Sequence, residues 1–259
     1  MSKVIAVDLG GTNIRVALVD GNKILKYLKE STPKNQNKLL KKMSEMISCL
    51  ISNDVKAIGV GSPGPLANGI IINPPNLPFR NFNLKKYLQD KFKKRVAIEN
   101  DAKCVALAES KLGCRKKNFI ILTLGTGIGG GIIINNMLYT GSHGYAGEIN
   151  GIVLDNGKSF EALWKEKKGN IKIKELFDKK DKKKLETVSN YLGQGIASLI
   201  NIFDPEVVIL MGGAREAGKP FLNMIKNHAR KYVVLPTVPE IKWSKLEHPG
   251  ILGASLLVR

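Results

Sequence analysis

Cysteine is scarce in this chain: Cys49, Cys104 and Cys114 are scattered, odd in number and form no Cys-x-x-Cys pair. That excludes a disulfide framework or a zinc knuckle and leaves reduced thiols. Long apolar runs are missing too, with no window of eighteen such residues to cross a bilayer. After Met1-Ser2-Lys3 the chain enters a strand without the charged-then-apolar layout of a secretory leader. The expectation is a soluble, cytoplasmic protein with no membrane partner. No glycine-rich segment closes in Gly-Lys-Ser or Gly-Lys-Thr, and none opens directly into a long helix, so neither a P-loop nor a dinucleotide fingerprint is present.

Acids are also few, 22 against 41 Lys and Arg, for a net charge of +19. Such an excess points to nucleic acid when it is clustered, because phosphate contacts release counterions. Distribution argues otherwise here. The densest run, Lys158 to Lys184, sets eleven lysines against five acids but interleaves them with Phe160, Leu163, Trp164, Ile171, Ile173, Leu176 and Phe177. That spacing is the solvated face of amphipathic helices, and no nucleic-acid motif accompanies it. A basic surface still speeds encounter with polyanionic substrates.

What the chain does contain is a pair of strand-to-glycine turns. Asp8-Leu9-Gly10-Gly11-Thr12-Asn13 follows the run Val4-Ile5-Ala6-Val7, and Leu124-Gly125-Thr126-Gly127-Ile128-Gly129-Gly130-Gly131 follows Leu122-Thr123. Glycine lets successive backbone N–H groups approach an anion, and Thr12 or Thr126 adds a hydroxyl. One such turn would be weak, since hairpins use the same residues; two suggest one phosphate chain held from two sides. Between them, Glu99-Asn100-Asp101-Ala102 sets a carboxylate at a strand end. A nucleotide cradle with a positioned base reads as phosphoryl transfer. Taken alone, Asp101 reads equally as a helix N-cap, and Gly212-Gly213 as a plain strand-to-helix turn.

Periodicity organises the chain as α/β. Ile14 to Val19 alternates as a strand, so the first glycine turn is a hairpin, and Gly21-Asn22 turns into a third strand from Lys23 to Leu28. Apolar residues from Leu39 to Ile51 follow helical spacing, and Val55 to Val60 returns as a strand. Ser62-Pro63-Gly64-Pro65 and Asn73-Pro74-Pro75-Asn76 punctuate a long irregular stretch before a helix capped by Asn83 and ending near Phe92. A strand from Arg95 to Glu99 leads to a helix over Ala102 to Glu109, stopped by Gly113. From Asn118 the strand, glycine turn and strand recur, with Asn135-Asn136 as a hairpin turn. Helices are expected at about 160–167 and 185–203, a strand from Glu206 to Met211, and a last helix from Ile251. This duplication predicts two α/β domains, 1–113 and 114–248, facing across a cleft, with a C-terminal helix of about 249–259 packing on the first.

The two turns, Ser62-Pro63-Gly64-Pro65, Glu99-Asn100-Asp101-Ala102, Gly147-Glu148 and Pro249-Gly250-Ile251-Leu252-Gly253-Ala254 together resemble the ROK family of sugar kinases and repressors, in family order over nearly the whole chain. The resemblance implies the actin-like ATPase (ribonuclease H-like) fold and transfer of a terminal phosphoryl group to a hexose hydroxyl. It implies Asp101 as general base and Asp8 as the carboxylate that holds Mg²⁺ through water. It gives Gly10, Gly11, Thr12, Asn13, Gly125, Thr126 and Gly127 to the phosphates of ATP, and Gly212 and Gly213 to adenosine. Gly64, Asn76, Asn100, Asp101, Glu148 and Glu161 fall to the sugar. Repressors of the family carry a DNA-binding helix-turn-helix ahead of the first turn, so a repressor is not the expectation here, and most family members are dimers or tetramers, which implies a possible homodimer.

One departure stands out. The family usually continues from the first sugar glutamate to a histidine and a three-cysteine zinc cluster, but here Gly151 takes the histidine position, no cysteine follows Cys114, and only the final glutamate, Glu161, is kept. Structural zinc is therefore not expected, and His143 reads as a surface residue. The leading expectation is an ATP- and Mg²⁺-dependent hexose kinase with glucose as acceptor. A polyphosphate-dependent glucokinase, short and without the cluster, is the alternative that suits the charge. A non-catalytic sugar sensor is the alternative of another class, and retention of Asp8, both turns and Asp101 argues against it.

Overall fold

The computed structural model describes residues 3–74 and 76–259; Pro75 of the Asn73–Asn76 punctuation lies outside them. Contacts divide the chain into two compact units. One holds the residues up to Arg115 together with Thr140–Ala146 and Leu246–Arg259; the other holds Lys116–Tyr139 and Gly147–Lys245.

In the first unit, β1 (Lys3–Leu9), β2 (Asn13–Asp20), β3 (Lys23–Ser31), β4 (Val55–Ser62) and β5 (Arg95–Asn100) form one sheet in the order β3-β2-β1-β4-β5. The hairpin pairs are antiparallel and β1-β4-β5 are parallel. Strand β1 reads as a continuous apolar run because both of its faces are covered. Ile5, Val7 and Leu9 join a core with α1 (Gln36–Leu50) and α2 (Leu84–Phe92), while Val4 and Ala6 join one with Cys104 and α8 (Pro249–Leu256). Asn35 and Asn83 cap α1 and α2, accepting from Lys38 N (3.1 Å) and Lys86 N (2.8 Å). Helix α3 (Asp101–Ala108) is followed by a π-helical turn, Glu109–Gly113, before the chain leaves this sheet.

The second unit repeats the plan. Strands β6 (Phe119–Leu124), β7 (Ile128–Ile134), β8 (Met137–Leu138), β9 (Val207–Met211) and β10 (Glu240–Trp243) lie in the order β8-β7-β6-β9-β10. Around them are α4 (Phe160–Lys168), α5 (Ile173–Asp178), α6 (Lys182–Phe203) and α7 (Gly218–Tyr232). Of the apolar residues interleaved with the Lys158–Lys184 run, Phe160, Leu163, Trp164, Ile173 and Leu176 are buried and Ile171 and Phe177 partly so, which makes that run an amphipathic surface. Helix α7 and strand β10 were not anticipated. Helix α7 starts at Gly218-Lys219-Pro220 without a side-chain cap, and β10 is a four-residue strand just after Pro239. Helix α6 begins three residues before Leu185, where Asp181 accepts from Lys184 N (3.1 Å). No helix among the described residues is long and apolar enough to cross a membrane.

Backbone approaches backbone where α8 meets its neighbours. A Cβ on Gly253 would overlap the carbonyl of Cys104 on α3, and one on Gly59 would overlap the carbonyl of Ala254. Gly253→Ala is therefore expected to lower the unfolding free energy by about 1–3 kcal/mol, the usual cost of overpacking. Urea denaturation measures this; an unchanged midpoint would mean that α3 and α8 separate at no cost.

Candidate functional site

The first glycine turn joins β1 to β2 and is anchored through its carbonyls. Thr32 Oγ1 donates to Gly10 O (2.6 Å), Lys34 Nζ to Gly11 O (2.8 Å) and Thr32 N to Thr12 O (2.9 Å). Gly10 N closes the turn on Asn13 O (2.9 Å). None of these bonds consumes an N–H of Gly11 or Thr12, the groups an anion would need. Asn76 lies against Gly11 so closely that a Cβ there would overlap it. Gly64, at φ +92°, accepts at 3.5 Å from Asn100 Nδ2. The structure thus brings Asn76 to the turn and Gly64 to Asn100.

The junction of β5 and α3 assigns the cap. Asn100 Oδ1 accepts from Ala102 N (3.0 Å) and Lys103 N (3.2 Å), and Glu99 Oε1 accepts from Asn100 N (2.8 Å). Asn100 is the N-cap, so Asp101 is the first residue of the helix, half-buried, with Oδ1 accepting from Ala102 N (2.8 Å). Asp8 sits at the end of β1 with Oδ2 2.9 Å from Arg15 Nη1. Burial pushes the Asp8 carboxyl above its ordinary value, and the Arg15 guanidinium opposes that without cancelling it. The two carboxylates belong to one neighbourhood. Burial raises the Cys104 thiol well above its ordinary range, and the charges of Glu99, Asp101 and Asp8 raise it further. That thiol is inert.

In the second unit the first turns of α4 hold the other glycine turn. Trp164 Nε1 donates to Gly125 O (3.1 Å), and Glu161 Oε2 accepts from Ile128 N (2.9 Å) while its Oε1 pairs with Lys165 (2.5 Å). Gly125 N donates to Gly127 O (3.0 Å), and Gly125 and Thr126 are exposed. Gly212 turns at φ +99° against the backbone of Leu124, and Gly213 opens a 3₁₀ turn to Ala217. Glu148 is exposed and precedes the 3₁₀ turn Ile149–Gly151; a Cβ on Gly151 would meet nothing within 4 Å. His143 is exposed.

Among the described residues no group of three or more His, Cys, Asp or Glu side chains could hold a metal. Mg²⁺ asks for less, since it takes one or two protein carboxylates and completes its shell with substrate phosphates and water. The half-buried Asp8 carboxylate, next in sequence to a turn whose amides suit phosphate, fits that donor set.

The profile of the ROK family matches residues 4–156 and 153–259. The chain belongs to the ROK family. It is 30% identical over 309 residues to a glucokinase of Thermotoga maritima, covering 99% of this chain and 97% of that one. It is 27% identical to an N-acetylmannosamine kinase of Haemophilus influenzae, covering 99% and 95%. A ROK glucokinase of Streptomyces griseus, solved with glucose and AMPPNP, superposes with a TM-score of 0.83 at 25% identity and covers 98% of each chain. The fold is that of these ROK kinases, the actin-like ATPase fold, with two α/β units.

Several residues packed against these turns and acids escaped the sequence reading: Arg15 on Asp8, Thr32 and Lys34 behind the first turn, Trp164 behind the second, and Lys103 inside α3. A lysine or arginine among 41 carries no local signal; its partner identifies it. For Asp8 the sign of the pH effect follows from its raised pKa. The folded chain keeps this proton to a higher pH than the unfolded chain, so ionisation subtracts stability above the raised value and the cost disappears as pH falls. Asp8→Asn is thus expected to melt no lower than wild type at pH 7, with its relative advantage shrinking toward pH 4, and to lose metal-nucleotide-dependent turnover. Thermal melts across pH check the first part. A variant that melts well below wild type at pH 7 would show that the Arg15 pair outweighs burial.

Proposed function

We propose that this chain is an ATP-dependent hexose kinase that phosphorylates glucose at O6. Its coarser class, a sugar kinase transferring phosphate to an alcohol group, is the activity of the glucokinase-type ROK relatives it matches along its whole length. The observation that supports the phosphoryl-transfer part of this reading is the β5–α3 junction, where Asn100 takes the capping role and Asp101 stands, like Asp8, close to Cys104.

In this reading Asp101 accepts the proton of the attacking hydroxyl as that oxygen bonds to the terminal phosphorus of ATP, while the bond from that phosphorus to the bridging oxygen breaks and ADP departs. Asn100, Gly64, Asn76 and Glu148 bind the other hydroxyls. The turns Gly10-Gly11-Thr12-Asn13 and Gly125-Thr126-Gly127 hold phosphates through backbone N–H groups, and Gly212-Gly213 lies along the adenosine. Mg²⁺ brought with the nucleotide and held by Asp8 would neutralise charge on the phosphoryl oxygens. Glu161 takes a sugar hydroxyl on Oε1 when the half-exposed Lys165 swings aside, while Oε2 keeps the Ile128 N–H. The alternative reading is a polyphosphate-dependent glucokinase, which the +19 charge favours.

A coupled assay over hexoses and N-acetylhexosamines, with ATP and polyphosphate compared, tests donor and acceptor together. Turnover of glucose with ATP is expected; none with any sugar would overturn the kinase reading.

Asp101→Asn is isosteric and is expected to keep the fold while lowering kcat by at least about 10²-fold, the lower bound for a lost general base. Wild-type turnover in that variant would remove Asp101 from the chemistry. For Glu161, the two oxygens make separable contributions. Glu161→Gln keeps an acceptor for Ile128 N–H and is expected to raise the sugar KM with little change for ATP, whereas Glu161→Ala should raise both. Initial-rate kinetics with each substrate varied decides it, and unchanged sugar KM in both variants would place Glu161 behind the turn alone.

A further inference from the structure

The kinase reading gives Lys103 no task, yet this lysine is only 2% exposed on α3, two residues past the base. Burying an ammonium group is costly unless charge and hydrogen bonds compensate it. Lys103 Nζ donates to the carbonyl of Gly144 and lies 3.9 Å from Glu99 Oε1. The same Glu99 oxygen accepts the Asn100 N–H at 2.8 Å, and Asn100 Oδ1 accepts from Lys103 N at 3.2 Å. Two hydrogen bonds and the 3.9 Å ion pair thus link Glu99, Asn100 and Lys103, with the ammonium as the outward link.

That link ends on an unusual segment. Thr140–Ala146 packs with the first unit although the chain on either side of it belongs to the second. It closes on itself through Ala146 N to Thr140 O (2.9 Å), with Gly141 and Gly144 at φ +73° and +81°. Gly147-Glu148 follows it directly. A long, charged donor can reach a buried carbonyl across an inter-segment gap and bond it more strongly than a neutral one.

We propose that Lys103 is a positioning residue for the sugar acceptor. By tying the Gly144 carbonyl to the Glu99-Asn100 junction, it sets the presentation of Asn100 and Asp101 and holds the 140–146 segment against α3. Sugar affinity then depends on a buried lysine that does not touch the sugar. The proposal rests on the kinase reading, deepening the acceptor half of that site.

Lys103→Met keeps the unbranched stem and removes the ammonium; Glu99→Gln keeps an acceptor for Asn100 N–H and removes the ion pair. Calorimetric binding of glucose and initial-rate kinetics are compared with amide hydrogen exchange of the 140–146 segment. Lys103→Met is expected to weaken sugar binding about tenfold or more and to raise sugar KM in parallel, with ATP KM within about twofold of wild type. Exchange at 140–146 should quicken, and Glu99→Gln should fall between wild type and Lys103→Met in both readouts. If Lys103→Met does not fold, Glu99→Gln alone decides by the same two measurements. A fall in melting temperature with sugar affinity intact, or weakened sugar binding without faster exchange, overturns the proposal. Wild-type chain that binds sugar but transfers no phosphate overturns the kinase reading and leaves the Lys103 comparison valid; wild-type chain that binds no hexose overturns both.

Discussion

A carboxylate taken partly out of water needs a cation or a set of N–H groups, and the acids of this site show how that need is met. Asp8 has Arg15, Glu99 has Lys103 and the Asn100 amide, and Glu161 has Lys165 and the Ile128 amide. In each case the partner does more than offset charge. Arg15 joins β2 to the end of β1, Lys103 joins α3 to the 140–146 segment, and Glu161 joins α4 to the second glycine turn. These acids are thereby held by the same contacts that hold the local fold together.

Steric constraint complements the electrostatic one. In both units the glycine turn connects the first two strands of a sheet with the same neighbour order, so each turn stands at the carboxyl end of a central, mostly buried strand. Ligands of open α/β sheets bind at such strand ends, where backbone N–H groups emerge from the sheet. The missing side chains at Gly11 and Gly127 let Asn76 and Glu161 reach those turns, and the missing one at Gly253 lets α8 press on α3. Loss of the family's cysteine cluster did not leave the second turn unsupported. Helix α4 starts at Phe160 and supplies Glu161 and Trp164 to it directly.

The strands and most helices were legible in the sequence because burial writes itself into periodicity. The run Val4 to Val7, the helical spacing from Leu39 to Leu50, and the asparagine cap at 83 all lie where they were expected. Helix α7 was passed over because a Gly-Lys-Pro start lacks a capping signal, even though Phe221, Leu222, Ile225 and Ala229 repeat on one face. The glycine turns and Asp101 were legible as motifs. Whether Asp101 or Asn100 caps α3 was not, because either side chain can fill that role and only the direction of each in the folded chain separates them.

By itself the sequence determined the α/β class, the duplication and the two strand-to-glycine turns, all properties of residue type at fixed spacing. Tertiary structure alone decided which basic residue faces which acid and which segment packs with which unit. Lys103 and Gly144 are 41 positions apart, Ile128 and Glu161 are 33, and Gly125 and Trp164 are 39. Such pairings carry no periodicity. They come into being when separate elements pack, and with 41 basic side chains available only the packing selects the partner.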